Sequence, residues 1–246
     1  MNTNGIPPCW LPVIKVWKSA QVRLPKVLRW SKYIGRDEGV RPQNNLEHSF
    51  SIALLGTLVI EQLRLHVALD EGLLITALCI HDVGEGEIGQ DTLYIDKSND
   101  QDLREYNAFC ALYRGLPDPV FDHFHRAFLL QFALKRQSGF PADAVRILHE
   151  LAERKYFEAL AFEAIERWDY LLYAAEQYSE LGNEKILVQV LRHQLSHLNR
   201  LSKELPGFGE IIWSRSTAEG YEAFLESRKG MWIEQKGENS FPRPTP

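Results

Sequence analysis

Two polar residues close the most apolar stretch of this sequence, and chemistry would begin there. The run Leu73-Leu74-Ile75-Thr76-Ala77-Leu78-Cys79-Ile80 is followed at once by His81 and Asp82, so an imidazole and a carboxylate leave a helix whose apolar character marks it as buried. Such groups are costly to desolvate without partners. Either the pair caps a helix terminus or it faces compensating groups such as a metal ion. Asp169 raises the same question. In a helix it neighbours Ile165, Leu172 and Tyr173 at three and four residues, which sets its carboxylate at the border of an apolar stripe. A salt bridge, for instance to Arg167, is the alternative to ligation. His48, in the string Asn44-Asn45-Leu46-Glu47-His48-Ser49 at a helix start, serves either that helix's first turn or the same centre. Two imidazoles and two carboxylates on three helices make a mixed nitrogen and oxygen ligand set. It suits one divalent transition ion among Mn, Co, Fe, Ni and Zn, without choosing between them. Four protein ligands leave an octahedral ion two open positions, as metal-assisted hydrolysis of a phosphate ester requires.

A His, then a His-Asp pair, then a distant Asp on a helix resembles the HD-domain phosphohydrolase superfamily. More narrowly, Arg29-Trp30, the Asn-x-x-Glu-His-Ser string from Asn44 to Ser49, His81-Asp82-x-x-Glu85 and Asp169 are similar to the bacterial 5′-deoxynucleotidase branch, over about residues 28–180. The resemblance implies His48, His81, Asp82 and Asp169 as metal ligands and Glu85 as an acidic residue near the metal's water. It also implies Arg29 as a phosphate-binding residue and Trp30 as a residue against the nucleoside. That branch follows its HDxxE with three residues and then Gly-Asp, whereas this chain has Gly89-Gln90-Asp91 there. A one-residue insertion gives Asp91 the second catalytic place beside Glu85 and brings Lys97 into register with a substrate-side lysine. The implied reaction is release of phosphate from (deoxy)nucleoside 5′-monophosphates. Two alternatives stand beside it: an alarmone-type pyrophosphohydrolase, in which Asp usually follows HDxxE where this chain has Gly86, and a non-catalytic regulatory protein that binds metal and nucleotide.

Other patterns carry less. Gly84-Glu85-Gly86-Glu87-Ile88-Gly89 spells the dinucleotide fingerprint GxGxxG, but no strand precedes it and two glutamates would face the pyrophosphate. His149-Glu150 begins a HExxH motif that fails at Glu153. His193 and His197 form an i, i+4 pair among solvated neighbours, and His123, His125 and His149 lie where binuclear relatives place extra ligands. One metal is the expectation.

The elements that must position these residues read as helices throughout. Apolar residues recur at three and four, giving helices at about 13–20, 25–35, 46–66, 70–83, 101–114, 118–136, 142–154, 156–180, 184–204 and 216–228. Leu46, Phe50, Ala53, Leu54 and Leu58 form one apolar stripe, and Phe157, Leu160, Ala164, Ile165, Trp168, Leu171, Leu172 and Ala175 form another. Neither a repeat nor a linker divides the chain. The fold class is therefore all-α, a single HD-type helical bundle over 13–230 between Pro- and Gly-punctuated tails at 1–12 and 231–246.

Composition fits. The 246 residues are 45% hydrophobic and 25% charged, enough for a sizeable core. A net charge of −5 disfavours polymeric nucleic acid as a partner. Cys9, Cys79 and Cys110 form no metal or disulfide pattern, and no run is long enough for a membrane span or a leader. A cytoplasmic protein acting on a small phosphate ester is expected, with a homodimer left open.

Overall fold

The computed structural model describes residues 7–30, 41–90, 97–135 and 139–229. Helices make nearly all of it. A 3-10 turn at Pro8–Trp10 leads into α1 (Leu11–Val22), so helical structure begins inside the stretch expected as a tail. The order continues α2 (Asn45–Leu63), α3 (Glu71–Ile80), α4 (Val83–Ile88), α5 (Asn99–Tyr113), α6 (Asp118–Leu130) and α7 (Ala142–Arg154). It ends with α8 (Tyr156–Leu181), α9 (Glu184–Glu204), α10 (Phe208–Ile211) and α11 (Arg215–Glu226). Helix α3 lies at the centre, packed against α2, α6 and α8. A left-handed glycine, Gly182, ends α8 and turns the chain back along α9, its longest packing partner. One hydrophobic core runs through these helices, from Ile52 and Leu74 to Phe128, Leu160 and Leu191.

Three expectations need correction. The helix expected at 25–35 does not begin. Pro25 sits in a 3-10 turn, Leu24–Lys26, after which Leu28–Arg29 (β1) pairs antiparallel with Gln43–Asn44 (β2), Leu28 opposite Asn44 and Arg29 opposite Gln43. Val27 is extended and its carbonyl accepts from the Asn45 amide, so these backbone groups are already spent on non-helical partners. Residues 31–40 lie outside the described segments.

The helix expected at 70–83 breaks at His81, and α4 is an element the periodicity missed. Its glycines explain why. A Cβ on Gly84 would sit 2.6 Å from the Glu105 carbonyl oxygen, and one on Gly86 would sit 2.7 Å from the Leu24 side chain. The Gly-Glu-Gly-Glu string is thus a packing device that brings α4 close to α5, and Gly89, at φ 78°, ends it. Gly84→Ala is expected to destabilise the fold by about 1–3 kcal/mol. Gly220→Ala, in a helix with nothing near the new methyl, should gain about 0.5–1 kcal/mol. Thermal melting of the two variants checks the contrast.

The third correction concerns α2. Its buried residues are Asn45, His48, Ser49, Ile52, Gly56, Val59, Ile60 and Leu63, whereas Leu46, Phe50, Leu54 and Leu58 are exposed. The polar side chains of the centre require the interior, and the leucine row is turned outward in exchange. The α8 stripe is buried at Leu160, Ala164, Ile165 and Leu171, with Leu172 exposed. Among the described residues no helix is long and apolar enough to cross a membrane, and the three cysteines are free.

Candidate metal centre

Helix α2 begins with a complete capping box. The Asn44 side chain accepts from the Leu46 and Glu47 amides, and the Glu47 carboxylate accepts from the Asn44 amide. That fixes the first turn, from which Asn45 and His48 project inward one turn apart. His81 is the residue that follows α3 and Asp82 the residue before α4, but the Asp82 side chain makes no capping hydrogen bond. Its carboxylate is free for other work. Asp169 enters from the middle of α8.

The imidazoles define the centre. His48 Nδ1 lies 2.9 Å from Asp169 Oδ2, and His81 Nδ1 lies 2.9 Å from the Leu78 carbonyl oxygen. Burial would raise the Asp169 pKa, but the hydrogen-bonded His48 and the Arg29 charge outweigh it and hold that carboxyl below its usual range. Both partners are therefore acceptors, so each Nδ1 carries a proton and donates it. In a neutral ring that leaves Nε2 as the lone-pair atom, and the two Nε2 atoms face each other at 3.1 Å. Burial pushes the His81 pKa down, so that ring resists the extra proton that would relieve the contact.

Asp82 completes the cluster, with Oδ1 at 3.2 Å from His81 Nε2 and Oδ2 at 3.8 Å from His48 Nε2. One donor atom from each of His48, His81 and Asp82 falls within a mutual 4.8 Å. Two nitrogens bound to one ion at about 2.1 Å and a right angle stand about 3 Å apart. The donor set therefore fits a divalent transition ion. Burial and the Glu85 charge push Asp82 up to about 6 despite Arg29. A further positive charge would restore its ionisation.

Around this core, Arg29 Nη1 donates to Asp82 Oδ2 at 2.9 Å, and its guanidinium lies 5.1 Å from the Tyr170 ring centre. The β1–β2 pairing fixes Arg29 beside the start of α2. Glu85 is held at one oxygen by Asn45 Nδ2, 3.0 Å, and at the other by Lys97 Nζ, 3.1 Å. Lys97 also lies 2.7 Å from Glu105. Burial would raise Glu85, but Lys97 and Arg29 bring it below its ordinary value, and Glu105, although Lys97 stands opposite it, is pushed by burial and by the Glu85 charge up to about 8. Near neutrality the trio thus holds one cation, one carboxylate and one protonated carboxyl.

Trp30, at φ 63°, is 4% exposed, stacked on Tyr173 at 4.8 Å and edge-on to Tyr170. Asp91 lies outside the described residues. Arg41 pairs with Glu176, His125 contacts Tyr106 Oη, His123 contacts Thr76, and His197 faces Glu163. Among the described residues these histidines form no metal-capable group. Arg167 pairs with Glu163, not with Asp169, which instead accepts from Ser51 Oγ. Asn45, Ser51, Glu105 and Tyr170 were not anticipated. Glu105 carried the same signal as Asp169, with Ala108, Phe109 and Leu112 on its helical face.

Residues 23–205, spanning every described residue of this centre, match the HD domain family. The chain belongs to that family. HD domain proteins are generally metal-dependent phosphohydrolases, and the His/Asp cluster such chemistry needs is present. Curated proteins give no significant match.

Proposed function

We propose that this HD domain protein releases inorganic phosphate from (deoxy)nucleoside 5′-monophosphates in a divalent-ion-dependent reaction. The observation that carries the reading is the pair of Nε2 atoms facing each other at 3.1 Å beside Asp82, a donor cluster that a small cation would complete. His48, His81 and Asp82 would hold the ion, which supplies Lewis-acid chemistry, lowering the pKa of water and polarising a phosphoryl oxygen. Glu85, ionised and held at both oxygens, accepts the proton of the attacking water. Arg29, the cation beside Asp82, neutralises the non-bridging phosphoryl oxygens. Lys97 is engaged by two carboxylates and keeps Glu85 in place. Asp91 is kept as the second acid. Trp30, Tyr170 and Tyr173 form an aromatic wall that suits a nucleoside and favours no particular base.

Asp169 is proposed to act through His48, fixing the ring orientation that presents Nε2. Asp169→Asn should then weaken ion binding by about 10–100-fold while leaving binding measurable by titration. A loss as complete as that of an Asp82 variant would make it a fourth ligand. Phosphate release from matched ribo- and deoxyribonucleoside monophosphates, with Mn, Co, Mg and Zn in turn, tests the reaction. Preference for a pyrophosphate ester over every monophosphate would replace the substrate class, and tight nucleotide binding with no release under any ion would make the protein a sensor.

A further inference from the structure

Among the described residues, nothing packs over the apolar row on the outside of α2. Phe50 is 71% exposed, Leu54 53% and Leu58 64%, with Leu46 continuing the row. Their spacing of four residues makes them one i±4 ridge, running the length of the helix. Alongside it lies an open groove of about 680 Å³, lined by Leu54, Leu55, Leu58, Leu172 and Tyr173 and reaching inward to Ser51 and Asp169. Ridge and groove share one face.

We infer that this face binds a second copy of the chain, the α2 ridge of each copy seating in the α2–α8 groove of the other about a two-fold axis. Three observations favour a copy over another occupant. A surface that carries both a ridge and its complementary groove satisfies the self-matching condition of an isologous interface, and i±4 ridges interdigitate when two such helices cross. The rim is charged in both signs, with Glu47 beside the Arg41–Glu176 pair, so a two-fold copy meets no block of like charge. The exposed parts of Leu46, Phe50, Leu54, Leu58 and Leu172 sum to roughly 500 Å², at the upper end of what a monomer leaves open. That is more than half of the about 800 Å² per partner in a standard interface, and the groove walls supply the remainder. The ridge lies on the outer face of α2, while the inner wall of the groove reaches Tyr173 and Asp169 of the centre; the test below reads mass and not turnover, so it stands apart from the reaction proposed above.

Sedimentation equilibrium of the full chain, from about 1 to 100 µM, tests it. The wild-type protein should sediment at twice the chain mass. Phe50→Glu and Leu58→Glu, at exposed positions, should each raise the dissociation constant by about a hundredfold or more with an unchanged circular dichroism spectrum. Trp17→Glu, at an equally exposed aromatic on α1 (57%), should leave the dimer intact. A wild-type protein that stays single at the highest concentration overturns the inference. So does a dimer that survives both α2 substitutions, or one dissociated by the α1 substitution alone.

Discussion

Asp82→Asn is expected to remove divalent-ion loading and phosphate release together, with turnover falling by about a thousandfold or more. The carboxylate is the one anionic donor in the His48, His81, Asp82 cluster, and the amide keeps its shape and an acceptor for Arg29 while losing the charge. Asp82→Ala should show the same loss of function plus a loss of stability, because it takes the carboxylate from a buried guanidinium. Comparing the two separates ion binding from folding. Glu85→Gln provides the contrast. Its oxygens are held by Asn45 and Lys97 and it is not one of the grouped donors, so the variant should retain the ion by elemental analysis while turnover drops about a hundredfold or more. An ion-free Glu85→Gln protein would reassign that residue as a ligand, and an Asp82→Asn protein carrying a full equivalent of ion would sink the centre.

Lys97→Met should be the most destabilising of the conservative-volume changes, by about 3–5 kcal/mol above neutral pH. The ammonium, mostly buried itself, faces Glu85 and Glu105, which are 4% and 0% exposed. The deficit should depend on pH with a definite sign. In the wild-type protein, burial lifts Glu105 from its ordinary 4.5 to about 8. Between those values the folded state holds a proton that the unfolded state has lost, so Glu105 makes stability fall as pH rises through the window. Glu85, with its pKa lowered, works the opposite way: its contribution is present above the ordinary value and disappears as pH falls through the lowered one. Without Lys97 both carboxyls shift upward, so the variant loses most near pH 8 and above and recovers as both take up protons towards pH 5. Melting temperatures of the two proteins at both ends of this range check it. An equal deficit at both ends would show that the loss is one of packing and not of charge.

Much of the fold was legible because helical periodicity survives whichever face is buried. α7 and α9 match their expected bounds, and α8 differs by one residue. Periodicity could not tell which face of α2 is buried, since Leu46, Phe50, Leu54 and Leu58 look like a core row until His48 and Asn45 claim the interior. Nor could it divide α3 from α4, because the break is set by how closely Gly84 must approach Glu105, a tertiary fact. The centre was readable at His81 and Asp82, where polar groups interrupt an apolar run. It was less so at Asn45 and Glu105, which touch the site through Glu85 and Lys97 and belong to no spaced motif. The resemblance implies Trp30 as a residue against the nucleoside, but its stacking on Tyr173 of α8, far along the chain, belongs to no local pattern.

The His48–Asp169 hydrogen bond joins residues 121 positions apart, and it has a bearing on the protein's birth. During synthesis at about 5–20 residues per second, His48, His81 and Asp82 are added roughly five to twenty seconds before Asp169. In that interval His48 lacks the carboxylate that fixes its tautomer, and the apolar run of α3 has no α8 to lie against. A ribosome-bound fragment ending before α8 therefore carries three of the centre's residues without the wall that closes it.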